Sequence, residues 1–335
     1  MPPIRLAAVG CGSHASSSIH PSLIRVPEYD WVAACDLDAE RLARCASLYN
    51  VRPYADLGVM IDQERPDAVL VIGPFSMHHD VGLAVLRRGC HLLVEKPPAM
   101  DAAGAKELVD AARAAGKMGA VCTHWRHSPA HVKLIDIVHA EAFGHPTFFE
   151  GRFHAPSPVN PGPYETTFMN YLFGQGVHLV DCTRAVMGDI AAVHAMGFEG
   201  DAGAIGLTVS VRFASGAVGT LAMASRAPML DNYIEVFGDA RQHVRVDNHD
   251  RLEMTCQPPW IGQGGYADLP RQTWSPGAVG YLSARTIAYI EEHRAYGRAL
   301  AAGEQPRASL EDGYQACRVL EAIEQSRLTG ETVEL

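Results

Sequence analysis

The chain has 335 residues, a length that favours two domains over one or three. Hydrophobic residues make up 47% and charged residues 20%, as in ordinary soluble globular proteins. The net charge of −10 argues against a nucleic-acid partner and against an anionic membrane surface. The eight cysteines form no Cys-x-x-Cys pair, and no signal peptide or run of membrane-spanning length is present, so we expect a cytoplasmic protein with reduced thiols.

Short apolar runs alternate with helical patterns over residues 1–124. Strands that alternate with helices of this size indicate βαβ units, and continuous apolar runs fit strands that are buried on both faces of a parallel sheet. This part is therefore predicted to be a doubly wound α/β domain. The predicted strands are 4–9, 31–35, 68–72, 92–94 and 120–122, and the predicted helices are 39–48, 77–88 and 102–115.

The pattern changes over residues 125–335, which are predicted to form an α+β domain with a large open antiparallel sheet. Ser128 and Pro129 indicate the N-cap and first turn of a helix that runs to about residue 142. Ser215-Gly216 indicates a hairpin turn. Loops are predicted at 154–164 and 257–280, and the final helices could return to the first domain. The other predicted elements are a helix at 177–186, strands at 191–198, 205–213, 217–225 and 233–237, and helices at 284–301 and 310–328.

A glycine-rich turn follows the first predicted strand. The sequence from Gly10 to Ala15 fits G-x-G-x-x-A, in which Gly10 permits the tight turn, Gly12 lets a pyrophosphate approach the backbone, and Ala15 permits close packing. The helix that follows would offer N–H donors and a positive dipole end to the phosphates. Gly10, Gly12, Ser13 and His14 are therefore predicted to bind a dinucleotide.

Asp36 ends the second predicted strand, at about the 20-residue spacing expected of a ribose-binding carboxylate. A carboxylate there accepts hydrogen bonds from the ribose hydroxyls and repels a 2′-phosphate. Leu37 follows, with no adjacent cation to neutralise such a phosphate, so NAD is favoured over NADP. The alternative is an aspartate that only caps the next helix.

Glu95, Lys96 and Pro97 directly follow a buried strand. Ligands bind beyond the carboxyl ends of the strands in an open parallel sheet, so a lysine there would face a cofactor crevice. Proline fixes its own φ and restricts the residue before it, which would hold Lys96 in one direction. The alternative is a surface lysine at a strand end.

With these motifs the chain resembles the Gfo/Idh/MocA oxidoreductases over nearly its whole length. Glu95-Lys96-Pro97 is the most specific motif of the resemblance. The others are Gly73-Pro74 with His78, Arg126 with Pro129, Gly-x-His-x-x-Asp over 176–181, the hairpin at 215–219, and the segment 308–313.

The resemblance implies a Rossmann domain, a C-terminal α+β domain and homodimers or homotetramers that pair through the C-terminal sheet. It also implies hydride transfer between NAD(P) and a carbinol or carbonyl carbon of a sugar, polyol or glycoside. By the same resemblance, the residues expected to bind the cofactor also include Gly73, Pro74, His78, Glu95 and Lys96.

Two positions depart from the inositol dehydrogenase-like members of that family. Gly174 stands where they carry an aspartate four residues before the helix histidine, and Trp125 stands where they carry an arginine. A free polyol substrate is therefore less favoured, and a tryptophan face suits an apolar sugar face or an aglycone. Besides Trp125, the predicted substrate-binding residues are Arg126, Gln175 and Asp181.

Alcohol oxidation removes a hydride and a proton, so the protein must accept the proton. We expect His178 to be the acid/base, because histidine titrates near neutral pH, and Lys96 to stabilise the developing alkoxide as an ammonium. Lys96 as the base is the alternative. Gln175, one turn earlier, is a candidate to orient His178, and Asp181 could serve this purpose or only a structural one.

Two other functions stay open. One is a redox-neutral enzyme that cleaves glycosides by oxidation, elimination and re-reduction with the same NAD. The other is a non-catalytic NAD-binding regulator, which could lose Lys96 and His178 without penalty. No metal site is expected, because Pro129 prevents His124, His127 and His131 from sharing one helix.

Overall fold

The structure is a computed structural model, and it describes residues 2–159, 162–256, 271–277 and 282–335. The chain divides into two units, each with its own sheet. Unit 1 consists of Met1–His127 and Thr286–Cys317, and unit 2 consists of Ser128–Arg285 and Arg318–Leu335. No helix in the described residues has both the length and the apolar composition needed to cross a bilayer.

Unit 1 contains a six-stranded parallel sheet with helices between its strands. Its elements, in chain order, are β1 (Ile4–Val9), α1 (His20–Leu23), β2 (Tyr29–Cys35), α2 (Ala39–Tyr49), β3 (Arg52–Tyr54), α3 (Leu57–Glu64), β4 (Ala68–Val71), α4 (Phe75–Arg87), β5 (His91–Glu95), α5 (Ala102–Ala115) and β6 (Gly119–Cys122). The strand order β3-β2-β1-β4-β5-β6 confirms the predicted doubly wound domain. Beyond the predicted elements, the structure adds the short β3 and α3.

Local sequence signals fix the ends of several of these helices. Asp38 accepts hydrogen bonds from the backbone N–H groups of Glu40 and Arg41 at 3.0 Å and so caps α2. Asp101 caps α5 in the same way, and α5 ends at Gly116 in the left-handed conformation (φ +61°). Strands β4 and β6 are buried along their whole length, as a sheet covered on both faces requires.

Unit 2 is built on a nine-stranded sheet. The remaining elements of the chain are α6 (Pro129–Val138), β7 (Pro146–His154), α7 (Thr167–Tyr171), α8 (Val177–Met187), β8 (Ile190–Gly200), β9 (Ala204–Phe213), β10 (Val218–Ala224), β11 (Asp231–Gly238), β12 (Gln242–Asp247), β13 (Arg251–Cys256), β14 (Arg271–Trp274), α9 (Ala284–Ala302), α10 (Leu310–Thr329) and β15 (Val333–Glu334). Most of α9 belongs to unit 1, and the division between the units falls within α10.

The strands of the second sheet run in the order β14-β13-β12-β11-β7-β10-β9-β8-β15. All neighbouring pairs are antiparallel except β7 and β10, so the predicted antiparallel sheet is confirmed as a mostly antiparallel one with a single parallel pair. Strand β7 of this pair was not among the predicted strands, because Gly151 interrupts its apolar alternation and Pro146 opens it.

Two other sequence expectations need correction in unit 2. Helix α6 begins at Pro129 with Ser128 as its N-cap, as predicted, but it ends at Val138 rather than near residue 142. Within the predicted loop 257–280, residues 271–274 form β14. The rest of that predicted loop lies outside the described residues, apart from 275–277, as do residues 160–161 of the predicted loop 154–164.

Alternating burial along β9 and β10 shows that one face of this sheet is covered and the other is open. Helix α6 contacts β12 and β13, and α8 contacts β7. The open face exposes large apolar side chains, among them Phe148, Val218 and Phe237.

Candidate active site

The turn after β1 passes directly against the end of β4. Gly10 has a φ of +102°, and a Cβ on it would lie 1.7 Å from the carbonyl oxygen of Ile72, so no other residue fits there. A Cβ on Gly12 would meet no atom within 4 Å, which leaves open space above that residue. The turn thus has the form that a pyrophosphate needs for close approach to the backbone.

Asp36 lies beside this turn and holds it in place. One carboxylate oxygen accepts the backbone N–H of Cys11 at 2.6 Å and the other accepts the backbone N–H of Asp38 at 2.8 Å. Because Asp38 itself caps α2, the alternative that Asp36 only caps that helix is wrong. A carboxylate offers about four acceptor positions, so Asp36 keeps capacity for ribose hydroxyls.

A cavity of about 450 Å³ opens over the same turn. The cavity is lined on one side by Gly12 and Ser13 of the turn and on the other by Arg41 and Arg44 of α2. The two arginines were not among the predicted site residues, although their spacing of three residues places them on one helix face. Arg41 is paired with Asp38 at 3.2 Å. The open turn and this polar cavity fit a dinucleotide.

Glu95 supports the lysine that follows β5. Glu95 is 4% exposed and its carboxylate accepts the backbone N–H of Lys96 at 3.2 Å, while Nε2 of His14 lies 3.3 Å from its Oε1. Burial alone would raise the pKa of Glu95, but the hydrogen bond with His14 and the nearby Lys96 outweigh it and lower that pKa. A carboxylate therefore lies directly behind the half-buried Lys96.

His78 connects the loops that follow β4 and β5. Its Nε2 accepts the backbone N–H of Gly73 at 3.3 Å, so Nδ1 carries the proton and donates to the carbonyl oxygen of Pro97 at 2.7 Å. Burial lowers the pKa of His78 and keeps it neutral. The ring is 0% exposed, so the expected direct contact with the cofactor gives way to a supporting position. Gly73 and Pro74, the N-cap of α4, lie at the end of β4 as expected.

Trp125 and Arg126 lie on a single 3-10 turn, His124–His127, and both are 4% exposed. The guanidinium of Arg126 is 3.2 Å from the Asp312 carboxylate and donates to the carbonyl oxygen of Arg307 at 2.9 Å. These contacts join two segments of unit 1, and a substrate contact of Arg126 stays a prediction.

In unit 2 the predicted acid/base begins α8. His178 is half-buried in the first turn of this helix, and Asp181 is 1% exposed in the next. A π-helical turn, Leu172–Gly176, precedes α8 and contains Gly174 and Gln175. Such turns are frequent at functional sites. Within the described residues, the buried Oε1 of Gln175 has no hydrogen-bond partner.

The three histidines that suggested a metal fall into different environments. In unit 1, the ring of His124 stacks on Tyr289 at 4.3 Å, and burial lowers the pKa of His127 to about 3. In unit 2, Nδ1 of His131 is 2.6 Å from Oγ of Ser128. The position of each histidine is therefore explained by burial or by a contact within its own unit, without a metal ion.

Two family models match the chain. Residues 4–123 match the model described as the oxidoreductase family with an NAD-binding Rossmann fold, and residues 131–242 match the GFO/IDH/MocA C-terminal domain.

Individual relatives agree with these models. The chain is 28% identical to inositol 2-dehydrogenase 4 from Saccharopolyspora erythraea, over 95% of this chain and 92% of that protein. It is 35% identical to D-glucoside 3-dehydrogenase from Escherichia coli over 126 residues, which are 37% of this chain and 36% of that protein. A dehydrogenase structure from Chromobacterium violaceum superposes with a TM-score of 0.89 at 23% identity, covering 98% of this chain and 97% of that one, which shows a common fold.

Proposed function

Because the chain belongs to the GFO/IDH/MocA family of NAD-binding oxidoreductases, we propose that it transfers a hydride between NAD and a carbinol or carbonyl carbon of a sugar, polyol or glycoside. Lys96 polarises the reacting oxygen and His178 is the acid/base. The observation that carries this proposal is the support of Lys96 at the carboxyl end of β5, where Glu95 and His78 hold the loop.

Lys96 suits the stabilisation of a developing alkoxide. Its half-buried position reduces competition from water, and the carboxylate of Glu95 behind it favours the ammonium form. Bound NAD supplies the hydride acceptor for this chemistry. Gly12 and Asp36 would hold its pyrophosphate and ribose.

His178 takes the proton of the substrate hydroxyl during oxidation and returns it during reduction. Gly174 leaves it without the aspartate that inositol dehydrogenase-like members place four residues earlier. Gln175 has a buried carbonyl oxygen without a partner in the described residues, and this oxygen is available to accept a hydrogen bond from the imidazole or from a substrate hydroxyl.

The substrate we favour is a sugar derivative with an apolar face rather than a free polyol. Trp125 stands where the inositol dehydrogenase-like members carry an arginine, so this position offers no cation to a polyol, and the tryptophan itself is only 4% exposed. The similarity to D-glucoside 3-dehydrogenase over 126 residues supports a glucoside as the first compound to test.

The test is a screen of the purified protein with NAD against glucosides, free sugars and inositols, with the absorbance of reduced nicotinamide as the readout. In the responding reaction, we expect Lys96→Met and His178→Ala to lower kcat by about 10²–10³-fold while the Kd for NAD stays nearly constant. Lys106→Met is the matched control, since Lys106 pairs with Asp110 on the surface. Full turnover by either active-site variant refutes the assigned roles.

The open face of the second sheet is the surface we propose for pairing of subunits. It presents exposed Phe148 and Phe237, whose rings lie 6.3 Å apart, beside exposed Val218. An exposed apolar patch of this kind on a soluble chain is typical of an interface. Sedimentation velocity gives the oligomeric state, and a monomer at micromolar concentration contradicts the proposal.

A further inference from the structure

Two cysteines meet beneath the dinucleotide turn, and neither has a part in the proposed hydride transfer. Cys11 lies between Gly10 and Gly12, and Cys45 lies on α2. Both are nearly buried, at 3% and 5% exposure, and both belong to one small apolar cluster.

A buried histidine completes this arrangement. Nδ1 of His20 lies 3.6 Å from Sγ of Cys45, and His20 is 1% exposed. Its ring is fixed by the aromatic rings of Trp31, at 4.8 Å, and Tyr49, at 5.7 Å. The imidazole therefore has a defined direction towards the sulfur of Cys45.

The two thiols have different acidities. Hydrogen bonds from Cys11 and from His20 lower the pKa of Cys45, in spite of its burial. The pKa of Cys11 is raised, because its proton is held by Cys45 and because it is buried near Asp36. Because the imidazole of His20 lies 3.6 Å from its sulfur, Cys45 is assigned as the nucleophile of the pair and Cys11 as the second thiol.

The pair is connected to the cofactor site through Cys11. The backbone N–H of Cys11 donates to Asp36 at 2.6 Å, and Cys11 lines the 450 Å³ cavity together with Gly12 and Ser13. A small oxidant can enter this cavity when no dinucleotide fills it. A covalent bond from Cys11 to α2 would move the turn that has to meet the pyrophosphate.

We propose that Cys11 and Cys45 are a peroxide-sensitive dithiol whose oxidation to a disulfide weakens NAD binding. The Cys45 thiolate attacks one oxygen of hydrogen peroxide, the O–O bond breaks, and the hydroxide that leaves takes up a proton to become water. The sulfenic acid left on Cys45 is attacked by the Cys11 thiol: the S–S bond forms, the S–O bond breaks, and the hydroxyl leaves as a second water with the proton of Cys11. Two thiols lose two electrons, and the peroxide gains them.

The test treats the reduced full-length protein with hydrogen peroxide, alkylates the remaining thiols and maps the tryptic peptides by mass spectrometry. Cleavage after Arg25, Arg41 and Arg44 separates Cys11, Cys35 and Cys45 into three peptides, so the linked pair is identified directly. We expect a Cys11–Cys45 link that dithiothreitol reverses. The Kd for NAD, from fluorescence titration, should rise about tenfold on oxidation and return on reduction. Saturating NAD should slow the oxidation, because coupling between the two events is reciprocal.

Matched variants separate this pair from general oxidation. Cys45→Ser should bind NAD as the untreated protein does and lose its response to peroxide, while Cys35→Ser, which changes a cysteine of the neighbouring strand β2, should respond normally. Peroxide treatment without a Cys11–Cys45 link overturns the proposal, as does a link without a change in the Kd for NAD. The peptide map of the unmutated chain decides the matter even where a variant does not fold.

Discussion

The most informative perturbation of the lysine loop is His78→Leu. Leucine is apolar and of similar size, so it removes both hydrogen bonds of His78 without opening a large cavity. The N–H of Gly73 and the carbonyl of Pro97 then lose their partners, which were 3.3 and 2.7 Å away. Each buried polar group left without a partner costs about 1–3 kcal/mol, so we expect a loss of about 2–6 kcal/mol.

This loss is large against the roughly 5–15 kcal/mol by which native proteins are stable, and urea unfolding measures it. His79→Leu is the matched control. His79 pairs with Asp80 and Glu107 at 2.9 Å near the surface, and such pairs contribute less than about 1 kcal/mol. In the fraction of His78→Leu that stays folded, kcat should fall by about 10²-fold because Lys96 loses its alignment. Equal stability of the two variants would refute the supporting role of His78.

Two further predictions concern the cofactor site and the acid stability of unit 1. Asp36→Asn should raise the Kd for NAD by about 10–100-fold and reduce the preference over NADP, because one charge-assisted acceptor and the repulsion of a 2′-phosphate are lost; an unchanged ratio of the two dissociation constants contradicts this. Burial lowers the pKa of His293 to about 4 in the folded chain. As the pH falls, the unfolded chain therefore takes up a proton at this histidine before the folded chain does. The contribution of His293 to the free energy of unfolding is fully present above pH 6.5 and is lost as the pH falls towards 4. Urea unfolding at pH 7.0 and 5.5 should show that His293→Leu removes about 1 kcal/mol of the pH-dependent loss. His145→Gln, at an exposed position, is the control for the loss of a histidine.

The sequence predicted the first sheet well because its strands are continuous apolar runs bounded by turn signals. It missed β3, which has three residues and contains Pro53, and it missed β7, where Gly151 breaks the alternation. Short or interrupted strands form because their neighbours in the sheet hold them, and a local pattern does not contain that information.

Some features of the candidate site could likewise be predicted from the sequence, and others could not. The positions of Gly10, Asp36 and Lys96 relative to their strands follow from motifs, because each motif lies at the end of an apolar run. The buried position of His78 did not follow, since its two partners are the backbone groups of Gly73 and Pro97, which carry no sequence signature. The π-helical turn before His178 was also outside local patterns, because it depends on how the backbone accommodates an extra residue.

The Glu95-Lys96-Pro97 motif is local in sequence, but the groups that hold it are distant in sequence. His14 reaches Glu95 from the dinucleotide turn, and His78 reaches Pro97 from α4. A substitution at His14 is therefore expected to affect the backbone of Lys96 through two contacts in series, from His14 to Glu95 and from Glu95 to Lys96. The identity of residue 14, which the glycine motif does not specify, is therefore expected to influence the alignment of Lys96 independently of any contact with a phosphate.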